Sequence, residues 1–230
     1  MGFTLCAYAL NNPISYIDPD GLWEFKFNEE MQKLHLQAQK GDTWKTFKKE
    51  SGLGNKDLKD MFGDDFKNVL NSKSEDLGSF TMNEIGGKMG EMLQGMESAI
   101  LNLNKGDLTE NNCYGAAIQI TKDKEINPNG WMGDEFQSTL QNDYKNVPTP
   151  QMGDVLRYSF DNPIGSLIPQ HGAVFLLKNK SGTQVFTKNG YDPNSIYQIM
   201  YEKSMLNSNP TYGVRKGIGS DYPAYRLRSN

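Results

Sequence analysis

The chain has 230 residues and carries 24 Lys and Arg against 28 Asp and Glu, a net charge of −4. That length suits one large domain or two small ones. The acidic balance weighs against a dedicated nucleic-acid binder, which gains most of its affinity from basic surface facing phosphate. No apolar run reaches the roughly 20 residues that cross a bilayer, and the N-terminus lacks a signal peptide's charged and apolar regions. The expectation is therefore no transmembrane segment and export on some other carrier. The two cysteines, Cys6 and Cys113, stand too far apart for a disulfide framework or a zinc spacing, and neither a metal nor another cofactor is expected.

The first stretch, Tyr8-Ala9-Leu10-Asn11-Asn12-Pro13 followed by Asp18-Pro19-Asp20-Gly21-Leu22, reads from its residues as a strand with two chain reversals. It also resembles, position by position over residues 8–22, the end of the Rhs repeat-associated core. That family's core forms a shell around a variable C-terminal toxin and cuts itself after the Asp-Pro-x-Gly-Leu motif. The resemblance implies that residues 1–22 are the end of such a core, with Asp18, Asp20 and Leu22 in the autoprocessing motif and the cut between Leu22 and Trp23. It further implies a toxin delivered into a target bacterial cell as part of a larger protein. The implied partners are the core shell, a secretion apparatus and a cognate immunity protein.

Residues 23–79 contain Gly41-Asp42-Thr43-Trp44, where Thr43 is a good N-cap for a helix carrying Trp44 and Phe47, and Gly52 is its stop. A second short helix is expected from Asn55. Gly-Asp-Thr followed by two short helices resembles a LysM module, a family that binds the N-acetylglucosamine of peptidoglycan, although no closing strand is evident. The alternative is a helical linker. From Met82 to Leu103, the residues Ile85, Met89, Met92, Leu93, Met96, Ile100 and Leu103 recur at three- and four-residue spacing, one face of an amphipathic helix whose start is weakened by Gly86, Gly87 and Gly90.

Asn111-Asn112-Cys113-Tyr114-Gly115-Ala116-Ala117 predicts a short helix that opens on Cys113. The free N–H groups of a first turn stabilise a thiolate, which is one way a cysteine becomes a nucleophile. Residues 122–150 are polar and read as a loop carrying Trp131. A strand is expected after Gly153-Asp154, where Asp154 is a turn or cap residue. His171 precedes the apolar run Gly172–Leu177, a central strand, and Lys178–Gly182 is a hairpin turn into the return strand Gln184–Thr187. That return brings a polar residue, Asn189 or Thr187 with Asn189 preferred, beside His171 to fix its tautomer. Further short strands are expected at Tyr197–Met200 and Tyr222–Arg228.

A cysteine on a helix start with a histidine on a following strand resembles the papain-like hydrolases, the NlpC-type branch included. The resemblance implies an α+β fold over residues 80–230, with helices packed on a small antiparallel sheet and a short helical segment before them. It also implies Cys113 as nucleophile, His171 as general base and acid, and Asn189 as third residue. The Cys113 N–H with Asn111 or Asn112 would form the oxyanion hole, and Tyr114 and Trp131 would contact substrate. The expected activity is amide hydrolysis by an effector toxin. Peptidoglycan, cut by an amidase or endopeptidase, is the favoured substrate because of the LysM-like stretch. A cytoplasmic protease or deamidase is the first alternative, and a nuclease or other non-hydrolase toxin the second.

Overall fold

The computed structural model describes residues 22–64, 66, 78–103, 112–122, 133–161, 167–188, 196–209, 212–215, 222 and 224–228. The Rhs-like motif thus lies outside the described residues except for Leu22, as do Asn111, Trp131 and Asn189. Within them the chain is a mixed α+β structure with six helices and two antiparallel sheets.

The first sheet is built from β1 (Glu24–Asn28), β2 (Lys33–Gln37) and β3 (Ser79–Thr81), in that order. Alternation in Lys33-Leu34-His35-Leu36-Gln37 buries both leucines and leaves the polar residues at the edge of burial, the period-two pattern of a half-buried strand. Between β2 and β3 run α1 (Trp44–Ser51) and α2 (Asn55–Phe62). Thr43 caps α1 as the sequence predicts: its side chain accepts from the Thr46 N–H, and the Thr46 hydroxyl accepts from the Thr43 N–H in return. Gly52 ends the helix at φ 71°, and a side chain there would also strike the Pro150 carbonyl oxygen at 2.8 Å. The sequence does not reveal β3. Three residues on a sheet edge carry no usable periodicity, and the pairing with β2 is made by tertiary contact.

Trp44 lies in the centre of this unit rather than on its surface. It is buried among Trp23, Phe47, Phe62 and Phe80, with ring centroids 4.0–5.6 Å away. Trp23, the residue after the expected cut, is equally buried. Its indole N–H donates to the Thr43 carbonyl at 2.9 Å and to the Thr46 hydroxyl at 3.1 Å.

The amphipathic stretch from Met82 divides into a short turn (Met82–Glu84) and α3 (Gly87–Leu103). The glycines at its start are there for space as much as flexibility. A Cβ on Gly87, whose φ is +63°, would meet the Asp60 carboxylate at 2.0 Å. After α3 come α4 (Cys113–Lys122) and α5 (Gly133–Asp143), then β4 (Tyr144–Val147), β5 (Val155–Asp161), β6 (Leu167–Asn179), β7 (Gly182–Lys188), β8 (Tyr197–Tyr201), α6 (Glu202–Ser208), β9 (Val214–Arg215) and β10 (Ala224–Leu227). The expected loop at 122–150 therefore contains a helix and a strand. Phe136 and Leu140, one turn apart on α5, are both fully buried, a weak two-residue stripe inside an otherwise polar segment.

The second sheet runs β4-β10-β5-β6-β7-β8, with β9 added against β5. Every pairing is antiparallel. β6 lies inside the sheet between β5 and β7 and extends beyond the apolar run at both ends, with Val174 and Leu176 on one face and Ala173 and Phe175 on the other.

One face is covered by α4 and α5 and is continuous with the apolar cluster of the first sheet: Cys113, Ala116, Phe136, Val155, Val174 and Phe186 belong to the same core as Trp23 and Leu34. The other face holds a second cluster, with Leu156, Tyr158, Ala173, Phe175, Val185, Met205 and Tyr212. The two sheets are also tied by hydrogen bonds. The Gln184 side chain accepts from the Phe25 N–H at 2.9 Å and donates to its carbonyl at 3.2 Å, and the Asn179 amide donates to the Trp23 carbonyl at 3.0 Å.

Candidate functional site

Cys113 opens α4 as predicted, and the preceding Asn112 is its cap. The Asn112 side-chain oxygen accepts the N–H groups of Tyr114 at 3.0 Å and Gly115 at 3.1 Å. Asparagine is among the strongest N-caps because its oxygen satisfies donors that the first turn leaves open. Its side-chain oxygen is thus committed to the helix, whereas an oxyanion would take the N–H of its side-chain amide. Tyr114 is buried and stacked on Phe136, with centroids 4.8 Å apart, so the aromatic ring expected to touch substrate is packing between α4 and α5.

The Cys113 thiol is 2% exposed and meets the backbone N–H of Gly172 on β6. Glycine is needed at that point, since a Cβ on Gly172 would stand 3.0 Å from the Phe136 ring and 3.3 Å from the Cys113 carbonyl. Burial pushes the thiol up to about 12, against which the Gly172 and Tyr114 N–H groups, its own N–H and the charge of Lys188 pull downward. In this state Cys113 is a protonated thiol.

His171 is the residue before Gly172, and strand alternation turns it to the other face. It is fully buried, stacked on Tyr212 at 3.9 Å between centroids and 14° between planes, with Tyr158 tilted beside it at 5.9 Å. Its Nε2 and the Thr187 hydroxyl share a hydrogen bond of 2.7 Å. Its Nδ1 is buried and has no hydrogen-bond partner among the described residues. Burial lowers the imidazole to about 3, so it is neutral across the physiological range.

The expected contact between the Cys113 sulfur and an imidazole nitrogen is thus not made. Cys113 lies on the α4 side of β6 and the His171 ring on the opposite side, separated by one residue of the strand. The reason is elementary: successive side chains on a strand point to opposite faces, and it is Gly172, not His171, that faces the helix. The polar residue that holds the imidazole is Thr187, the second of the two residues the sequence offers.

No family model, no curated protein and no solved structure matches the chain. The site is therefore read from its own chemistry.

Two further features escape the sequence. Lys188, beside Thr187 on β7, is fully buried, with its ammonium 5.6 Å above the Tyr197 ring. On the far face, the Tyr158 hydroxyl donates to Glu202 at 2.9 Å, and Arg215 pairs with the same carboxylate at 3.5 Å. Alternation along Val185, Phe186, Thr187 and Lys188 puts the lysine on the same face as Phe186, a signal for Lys188 alone. Asp154 is the structural residue expected: it accepts the Gln151 N–H at 2.8 Å and takes Arg226 on both oxygens, at 2.9 and 2.8 Å. Among the described residues no group of three His, Cys, Asp or Glu side chains could hold a metal ion, and no helix is long and apolar enough to cross a membrane.

Proposed function

We propose that the chain is an effector toxin that hydrolyses amides through Cys113, with a papain-like arrangement of helix and sheet. One observation carries the reading: on β6 the residue whose N–H meets the thiol is adjacent to a histidine held by Thr187 through one nitrogen and left partnerless at the other. A base for thiol chemistry needs that combination, one nitrogen fixed by a third group and the second available for the proton.

In the reaction the imidazole Nδ1 takes the thiol proton, the thiolate forms a bond to the amide carbonyl carbon, and the imidazolium protonates the departing amine. Water then attacks the thioester carbon and gives its proton to His171; the carbon–sulfur bond breaks, the acid is released, and the sulfur takes the proton back from His171. Both groups are neutral and lie on opposite sides of β6 within its ladder, so activity requires β6 to turn His171 to the α4 face; the ladder is irregular beside it, where the β5–β6 register shifts between Tyr158 and Ser159.

The Rhs-like motif at residues 8–22 supports the toxin part of the reading. The order β2, α1, α2, β3, with β2 and β3 paired antiparallel around the Gly41-Asp42-Thr43 turn, supports a LysM-like unit and peptidoglycan as substrate. A cytoplasmic protein is the second substrate class. The non-hydrolytic reading rests on a different observation, the fully buried and protonated state of Cys113.

The test is growth arrest in bacteria that express the 230-residue chain with and without an added export signal. Cys113→Ala should abolish arrest in whichever compartment the wild-type chain is toxic, and arrest restricted to the exported form marks peptidoglycan as target. Undiminished toxicity of the alanine variant would refute nucleophilic catalysis by this residue.

A further inference from the structure

Two buried nitrogens on the face opposite Cys113 lack a hydrogen-bond partner among the described residues, and the register of the sheet puts them in one row. Tyr158 on β5 pairs with His171 on β6 and, across its other edge, with Arg215 on β9. Residues directly opposite one another in an antiparallel sheet share a face, so His171, Tyr158 and Arg215 stand side by side. The two orphaned atoms are His171 Nδ1 and Arg215 Nη1. The nitrogens of an imidazole point in nearly opposite directions. Nε2 is turned to Thr187 on β7, at 2.7 Å, so Nδ1 points away from β7, to the β5 side where Tyr158 and Arg215 stand.

The rest of the row is engaged. The Tyr158 hydroxyl donates to Glu202 Oε1 at 2.9 Å, and Arg215 Nε lies 3.5 Å from the same oxygen. Tyr212 covers the imidazole as a stacked ring. The Arg215 and Glu202 side chains are 24% and 16% exposed, whereas His171 is fully buried, so the row opens to solvent at the arginine and ends at the histidine. Buried polar atoms nearly always find a partner, and one left without is costly. Two such atoms, in neighbouring positions of one row with an open end, point to a ligand that serves both.

We propose that this row binds one small oxyanion, a phosphate or a carboxylate group, between Arg215 Nη1 and His171 Nδ1. Arg215 supplies a positive charge and a donor, the combination that holds such groups most strongly. Phosphate satisfies Nδ1 in either tautomer, because it carries oxygens that accept and a hydroxyl that donates. A carboxylate needs the tautomer with Nδ1–H, the Thr187 hydroxyl then donating to Nε2. Glu202, on the Nε side of the guanidinium, repels the ion and limits its affinity. The site goes beyond amide hydrolysis at Cys113 and opposes it: an ion on Nδ1 holds His171 on its own face, away from the thiol.

The experiment is a titration of the full chain, carrying isotope-labelled histidine, with inorganic phosphate at neutral pH and fixed ionic strength, read by NMR at the imidazole nitrogens. The expected result is a saturable shift of His171 Nδ1. Arg215→Gln should weaken the binding about tenfold, because it withdraws a charge-assisted hydrogen bond. Glu202→Gln, which keeps an acceptor for the Tyr158 hydroxyl, should tighten it about threefold by removing a competing negative charge. An arginine and glutamate that serve only as a structural ion pair predict no such opposite signs. Acetate in place of phosphate tells the two ligand classes apart by which ion saturates at lower concentration. Should the Arg215→Gln chain not fold, Arg215→Lys, which keeps the charge and withdraws Nη1, carries the same comparison. No saturable shift with either ion, or equal affinity in the parent and the folded Arg215 variant, overturns the proposal. Because the titration reads binding and not turnover, this result is independent of whether Cys113→Ala removes toxicity.

Discussion

The two faces of the large sheet are built from the same strands and yet treat polar chemistry differently. Under α4 and α5, a thiol and a glycine N–H are set in an apolar core, and burial keeps the sulfur neutral. On the opposite face a neutral imidazole is clamped between Tyr212 and Thr187, next to a tyrosine, glutamate and arginine network. The contrast teaches that two residues adjacent in sequence, Gly172 under the thiol and His171 beside it, are carried to opposite faces by the pleat.

The largest effect should come from titrating the histidine face. In the folded chain His171 is lowered to about 3 from an ordinary 6.5, so the unfolded chain binds the proton first. Stability is fully present above pH 6.5 and is lost progressively as pH falls towards 3. With each pH unit of that window worth about 1.4 kcal/mol for one proton, the loss reaches on the order of 5 kcal/mol. Urea midpoints measured from pH 7 to pH 4 should fall, and the part of the slope owed to this residue should vanish in His171→Gln. Identical slopes in the two proteins would break the comparison.

The helix face is sharpened by Gly172→Ala. The added methyl must displace the Phe136 ring and the Cys113 carbonyl, an overpacking expected to cost about 1–3 kcal/mol. Thermal unfolding should register that loss, together with faster Cys113 alkylation as α4 lifts from the sheet. A variant as stable as the parent would mean that the approach of α4 to β6 is looser than the geometry requires.

The smallest effect is expected from Thr187→Val, which keeps the shape and removes the hydroxyl held by Nε2. A buried ring then loses its one hydrogen-bond partner, at about 1–2 kcal/mol. Activity should fall more than stability if Thr187 orients the base, and Thr187→Ser should recover both. Equal, small losses in the two measurements would assign the hydroxyl to packing alone.

Several elements were legible without coordinates because their causes are local. Thr43 and Gly52 bracket α1 through capping and a left-handed stop, the three- and four-residue spacing of α3's apolar residues marks its buried side, and the small and apolar residues after Cys113 mark a helix that opens on it. The hairpin at Lys178–Gly182 follows from its turn residues, and the return strand it starts is β7. The α5 helix was hidden because two buried residues in eleven leave little periodicity, and β3 because an edge strand of three residues owes its existence to β2.

What the sequence determined by itself was which residues could do chemistry and on which elements they ride: Cys113 on a helix start, His171 and Thr187 on consecutive antiparallel strands. Which face each side chain takes was decided only by the tertiary structure. A strand offers both faces to alternate residues, and the packing of α4 against Gly172 alone selects which of them meets the helix. A one-residue change of register would have exchanged His171 for Gly172 beneath Cys113. The burial that makes both groups neutral follows from that same choice.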